Sequence, residues 1–329
     1  MKQLDIAASG VCRDPGESVA HHLVASLSRS ARVRQSSLHM ANDSRLFGPP
    51  QAQLLIVSEG AGDEPTRMAA ATAVDAVGRA LLRDDEWLLS LRSENHEEVA
   101  VQLADAVKQA AHGLPGTQSD DDNTALNPHV SLTAALLAWP WVVVAHVGDS
   151  AAVVLRHGSP LQLTASHTAA AELVASGRVA EAPDADSPLG RWVANRLDDP
   201  DQMAIETVVD ELQEGDLFCL GVSGVLATLH DESFVREACK APHHARRIAD
   251  DTIDHAKQTD DRPSLAVVVA KLGDHDDESL YAEADALEKD QEQTNSATPS
   301  APPALEPALA EEETRLTPET PTKALDHQR

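Results

Sequence analysis

Four acidic positions in this chain stand where a strand-like run gives way to a turn. They are Glu17 in GVCRDPGE, Glu59 (followed by Gly60) in QLLIVSEGAGD, Asp149 in VVVAHVGDSAAVVL and Asp261 in DDRPSLAVVVA. Carboxylates delivered from scattered strand ends are the usual ligands of hard divalent cations such as Mg²⁺ or Mn²⁺. The same residue types also close turns by bonding their own backbone, and a chain with 54 Asp and Glu has many acidic turns. Spacing alone leaves both readings open. Asp149 carries the sharper signal, because an ionised carboxylate among apolar neighbours is costly unless it is paired, hydrogen-bonded or bound to a metal.

The elements that must position these groups are legible around them. Val142–Ala145 and Ala151–Leu155 are apolar, β-branched runs of the kind buried strands use, broken by Gly148-Asp149. Gly158 allows a turn into a third strand beginning near Leu161. Met1–Ile6, Arg32–Met40, Gln53–Val57, Val130–Ala138, Ala204–Val209, Leu217–Val222 and Leu265–Leu272 read as further strands, and Gly10–Glu17 as a turn. Helices are expected over Thr66–Leu82 and His96–Ala111, where apolar residues recur every three to four positions. Shorter ones are expected at Ala169–Ser176, at Asp231–Ala238 with Asp231 as cap, and at His243–Lys257. Gly116–Pro128 and Arg178–Pro200 read as irregular. Strand–strand neighbours among the helices indicate an α+β chain rather than a doubly wound parallel sheet.

Composition narrows the partners. A formal net charge of −28 argues against nucleic acid, which is held by clustered Lys and Arg, and a 2% aromatic content offers few stacking platforms. Cys12, Cys219 and Cys239 are odd in number and lack framework spacing, so reduced thiols are expected. The opening MKQLDIAASG lacks an apolar signal core, and no apolar run approaches the ~20 residues of a membrane span. A soluble cytoplasmic protein without membrane partners is the expectation. Residues 273–329 turn acidic and rich in Pro, Glu, Ala and Thr, a composition that cannot bury enough surface to offset chain entropy. The expected organisation is therefore one domain over 1–272 and a disordered tail over 273–329.

The order of the acidic turns adds a family resemblance. Val147-Gly148-Asp149-Ser150, followed by a strand, a Gly turn and Leu163-Thr164-Ala165-Ser166-His167, resembles the V-G-D-S-R and L-T-x-D-H segments of the metal-dependent type 2C (PPM-type) Ser/Thr protein phosphatases. Arg13-Asp14-Pro15-Gly16-Glu17-Ser18 is similar to that family's R-x-x-x-E-D. Val57-Ser58-Glu59-Gly60-Ala61-Gly62 falls at its D-G-x-G loop, Ser223-Gly224-Val225 at S-D-G-L/V/I, and Asp261-Arg262-Pro263-Ser264 at D-N-x-T. The resemblance covers roughly residues 5 to 272.

The resemblance implies a β-sandwich of two antiparallel sheets flanked by α-helices. It also implies a pair of cations at one end that activate water against a phosphoserine or phosphothreonine. Arg13 would hold the substrate phosphate; Glu17, Glu59, the Gly60 carbonyl and Asp261 would hold the metals; Asp149 would serve a third, looser ion. The departures fall on the same centre. Glu59 replaces the bridging aspartate, Ser223 the aspartate of S-D-G, Ser18 the second acid of E-D, Ser166 the acid of D-H, and Arg262 the asparagine of D-N. The reading is a phosphatase-like protein of phosphoprotein signalling with impaired catalysis, its partner a phosphoprotein or a Ser/Thr kinase. The alternative is an active Mn²⁺- or Mg²⁺-dependent phosphatase with unusual ligands. The cofactor is thus Mn²⁺ or Mg²⁺ where the site is occupied, or no ion.

Overall fold

The computed structural model describes residues 3–14, 18–27, 30–32, 45–47, 52–83, 95–114, 129–181, 183, 187–240, 244–259 and 261–273. The strands are β1 (Gln3–Cys12), β2 (Ser18–Leu27), β3 (Ser30–Arg32), β4 (Arg45–Phe47), β5 (Ala52–Ala61), β6 (His129–Ala138) and β7 (Trp141–Val147). They continue with β8 (Ala151–Arg156), β9 (Ser159–Gln162), β10 (Glu206–Glu211), β11 (Leu217–Gly221) and β12 (Ser264–Gly273). The helices are α1 (Glu64–Arg83), α2 (His96–His112), α3 (Ala169–Ala175), α4 (Pro188–Arg191), α5 (Leu226–His230), α6 (Glu232–Lys240) and α7 (Ala245–Thr259), with a 3₁₀ turn at Ser223–Val225.

Two five-stranded antiparallel sheets form the centre. One has the order β1-β12-β11-β8-β9 and the other β10-β7-β6-β5-β2, while β3 and β4 pair separately. Between the sheets lie Leu55, Val57, Leu137 and Val144 from one side and Val154, Phe218, Leu220 and Val268 from the other. The outer face of the second sheet is covered by α1 and α2, through Val77, Leu103 and Val107 packed on Leu54, Ile56 and Leu136. Helices α5 to α7 cover the first sheet, with Val235, Ile248 and Ile253 on Val153, Val267 and Val269. This is the antiparallel sandwich with flanking helices that the family resemblance implies. Among the described residues no helix is long and apolar enough to cross a membrane.

Two local readings are corrected. Gly10–Cys12 do not begin a turn: they complete β1, pairing with Ala266, Leu265 and Ser264 of β12. β2 is absent from the sequence reading, because it is an edge strand buried on one side at most and carries His21-His22 mid-run. The strand expected over Arg32–Met40 lies outside the described residues after Arg32, as do the loop Gly116–Pro128 after Leu114 and the tail from residue 274.

The turn carrying Asp149 depends on a glycine. Gly148 adopts φ 110°, and a Cβ there would fall 2.2 Å from Cβ of Ser131 on β6. Gly148→Ala adds a strained backbone, of order 1–3 kcal/mol, to a contact that must displace β6. We expect the thermal midpoint, read by circular dichroism, to fall by at least about 5 °C; an unchanged midpoint would show that this turn yields without cost.

Candidate functional site

Alternation along the strands decides what faces the inter-sheet layer. Leu55 and Val57 of β5 point into it, so Glu59, two residues further on, does too. By the same count Ser131 and Thr133 of β6, His146 of β7 and Ser264 of β12 point into the layer where their strands begin or end. The apolar core therefore closes at one end on a polar rim.

Glu59 is the centre of the first cluster on that rim. It is 3% exposed, and its Oε2 accepts a hydrogen bond of 2.8 Å from Ser223 Oγ in the 3₁₀ turn after β11. The Arg262 guanidinium donates from Nη1 to the Ser223 carbonyl. Burial, reinforced by the nearby Asp149 charge, pushes the Glu59 carboxyl up to about 7, while Ser223, His129 and Arg262 pull it down. Asp149 itself stands 3.9 Å from His129 Nε2, and its Oδ1 is buried with no hydrogen-bond partner.

Gly60 sits behind this group for a steric reason. A Cβ there would lie 2.5 Å from the Thr66 carbonyl and 2.8 Å from Arg67 Cα, so only glycine lets the first turn of α1 pack on β5. That turn is capped by Asp63, whose Oδ1 accepts from the Thr66 N–H at 2.9 Å. Arg13 follows β1; its N–H donates to the Pro263 carbonyl at 2.7 Å and its Nη2 to the Ala256 carbonyl at 3.3 Å. Arg13 and the Asp261–Pro263 segment are thus neighbours through the β1–β12 register. Asp261 is exposed, and Glu17 lies outside the described residues.

A second cluster on the rim went unremarked in the sequence. His146 faces Thr133 on one side and Glu206 on the other as direct cross-strand partners. Its ring lies 4.7 Å from that of His167. Burial, with His167 adding to it, drives His146 down to about 3, and burial also lowers His167. The available signal was a single imidazole inside the otherwise apolar run Val142–Val147.

No family model matches the chain. The serine/threonine phosphatase stp of Listeria innocua is 25% identical over 228 residues, which is 66% of this chain and 84% of that protein. Among solved structures, the serine/threonine phosphatase Stp1 from Staphylococcus aureus aligns with a TM-score of 0.58 at 16% identity, covering 83% of this chain and 96% of that one. The catalytic domain of PstP, solved with two manganese ions, gives 0.51 at 22% identity over 78% and 100%. The chain resembles the PPM-type Ser/Thr phosphatases and has their fold.

The PPM resemblance implies two cations; near Glu59 the described donors are its own carboxylate, the Asp149 carboxylate and the Ser223 hydroxyl. At the S-D-G position the hydroxyl of Ser223 is committed to Glu59, and the Arg262 guanidinium holds its carbonyl. A neutral hydroxyl is a poor Mg²⁺ ligand, and a guanidinium beside it supplies positive charge where a second cation would need negative ligands. Asp149 Oδ1, buried without a hydrogen bond and 3.9 Å from His129 Nε2, is a carboxylate oxygen of this cluster suited to a cation.

Glu59 makes stability depend on pH in a definite direction. In the unfolded chain the carboxyl titrates near 4.5, and in the fold near 7. The folded state therefore favours the proton, and the stabilisation from protonation is full below about 4.5 and lost as pH rises through about 7. His146 opposes this, since a histidine held neutral loses stability as pH falls below 6.5. Comparison with Glu59→Gln isolates the carboxyl: chemical denaturation should find the variant more stable than the parent at pH 8, with the gap closing by pH 5. A gap that does not change with pH would contradict a buried, uncompensated carboxyl.

Proposed function

We propose that this chain is a PPM-type phosphatase-like protein that binds phosphoserine- or phosphothreonine-bearing proteins and hydrolyses them poorly. The observation that carries this reading is the Glu59–Ser223 hydrogen bond capped by Arg262. The two positions at which the resemblance implies metal-holding acids are here satisfied by each other. Removing an electrostatic stabiliser of this kind commonly costs ~10²–10³ in rate. Binding a phosphate asks for less: one guanidinium suffices, and the Arg13 N–H meets the Pro263 carbonyl beside Arg262. The proposed phosphate-binding residue is Arg13, and the proposed partners are a phosphoprotein or a Ser/Thr kinase in cytoplasmic signalling, where the free thiols of Cys12, Cys219 and Cys239 persist.

A second reading rests on Asp149. Its buried Oδ1, which makes no hydrogen bond, lies near Glu59 and suits one Mn²⁺ or Mg²⁺, with Glu17, Gly60 and Asp261 as further proposed ligands. A single ion would polarise a phosphoryl oxygen without forming the paired centre.

The two readings separate in one set of measurements. Calorimetric titration of Mn²⁺ into the full chain, alongside phosphopeptide turnover, should show weak binding and rates far below the 1–10³ s⁻¹ that is roughly ordinary for enzymes. The double change Ser223→Asp with Glu59→Asp should raise Mn²⁺ affinity and restore measurable turnover. Arg13→Ala should weaken phosphopeptide binding about 10-fold, the scale of one charge-assisted hydrogen bond. Ordinary turnover by the unmodified chain in Mn²⁺ would replace the impaired reading with the active one.

We also propose that residues 1–272 fold without the segment 273–329. Limited proteolysis should remove the tail first and leave the thermal midpoint unchanged. Cooperative loss of the fold on deleting 280–329 would reject this division.

A further inference from the structure

We propose that His167 and His146 are positioning residues for Asp149: they close the turn between β7 and β8 from both sides, which leaves the Asp149 carboxylate free to take a ligand. The proposal rests on the reading above in which Asp149 receives a cation. A turn aspartate commonly closes its own turn by spending its carboxylate on nearby backbone N–H groups. Here the residues on either side, Gly148 and Ser150, are bonded to groups 19 and 17 positions away in the chain. Asp149 Oδ1 is buried and makes no hydrogen bond.

His167 takes both backbone polar groups of Gly148. Its N–H donates to the Gly148 carbonyl at 2.9 Å, and its Nδ1 accepts from the Gly148 N–H at 3.1 Å. With Nδ1 an acceptor, the ring proton sits on Nε2, which stands 3.7 Å from Glu206 Oε2. The ring has little freedom. The Asn195 amide lies 2.9 Å from the same Nδ1 and is itself bonded to the carbonyl and the N–H of Ala204.

His146 holds the other side through a buried chain of hydrogen bonds. Its Nε2 donates to the Ala165 carbonyl at 3.0 Å, so its Nδ1 accepts from Thr133 Oγ1 at 2.8 Å. A hydroxyl has one proton to give. Thr133 spends it on His146 and therefore accepts from Ser150 Oγ at 2.7 Å. The order Ser150, Thr133, His146, Ala165 thus runs in one direction only, and the first three side chains are 1% exposed or less. Burial favours the neutral form of both rings, which this arrangement needs. Both halves of the clamp end on Ala165–His167, and Glu206 Oε2 fixes that segment by accepting from the Ala165 N–H at 2.9 Å.

A carboxylate already held in place needs no reordering when an ion arrives, so the clamp acts on affinity. The test compares His167→Leu with His167→Asn in the full chain, because the asparagine Oδ1 takes the place of Nδ1 and keeps an acceptor for the Gly148 N–H. Mn²⁺ affinity by calorimetry should fall about 10–100-fold in His167→Leu, the usual scale for losing a partner that orients a metal ligand, and recover most of that loss in His167→Asn. Thr133→Val, which cuts the chain at Ser150, should lower affinity in the same direction. Ile253→Val, in α7, should lower the thermal midpoint by about 2–4 °C and leave Mn²⁺ affinity unchanged, which separates positioning from a general loss of stability. In the metal-free chain, three-bond NMR couplings at Asp149 should report one χ1 rotamer in the parent and in His167→Asn, and averaged rotamers in His167→Leu. If the parent takes up no Mn²⁺, the cation reading of Asp149 fails, and the rotamer comparison still decides the clamp. A single Asp149 rotamer in all three proteins, or equal measurable Mn²⁺ affinity in the parent and His167→Leu, overturns the proposal.

Discussion

Strands β5, β6, β7, β8, β11 and β12 are covered on both faces, by the opposite sheet on one side and helices on the other. Their sequences must then be apolar at nearly every position, and polar side chains can be carried only where a strand starts or stops. The chain obeys this: Leu54–Val57, Val142–Ala145, Ala151–Leu155 and Leu265–Ala270 carry no charge. Chemistry is excluded from the body of the sandwich and collected at one end. There Glu59, Ser131, Thr133, His146 and Ser264 face the same layer as the core that they cap.

That constraint also explains why one carboxyl dominates the rim. Glu59 cannot reach bulk water, so its charge must be offset by neighbours or suppressed by a proton. Its neighbours are mixed in sign: Ser223, His129 and Arg262 favour the ion, while burial and Asp149 oppose it more strongly. A bare carboxyl in such a place costs stability at neutral pH. Proteins retain groups of that kind at sites that bind something, although structural networks also produce them.

Much of the fold was legible because burial imposes period. Apolar residues every three to four positions gave α1 and α2, and unbroken apolar runs gave the inner strands. β2 was missed because an edge strand needs only one apolar face, and His21-His22 blurs even that alternation. Glu59 and Asp149 stood out as charges beside apolar runs. The bond that defines Glu59 was not legible, since Ser223 is 164 positions away and only the pairing of β11 with β12 sets the 3₁₀ turn beside Ser264 and Leu265. His146 was visible as one imidazole in an apolar strand, yet its partners lie in a loop and an edge strand whose registry no local pattern encodes.

The remaining difficulty for any phosphate-binding role is charge, because the whole chain carries −28 and a phosphorylated ligand is also an anion. Distance resolves it. At physiological ionic strength exposed charges are screened beyond roughly 8 Å, so the net charge acts on the rate of encounter more than on the bound complex. Once a phosphate is seated, what counts is the local set. The Arg13 backbone lies against Pro263, next to Arg262, with its guanidinium on the Ala256 carbonyl of α7, while burial favours the protonated Glu59 carboxyl. Partial protonation of Glu59 thus makes the rim more tolerant of an anion than its count of acids suggests. A cation drawn to Asp149 would move the balance further the same way.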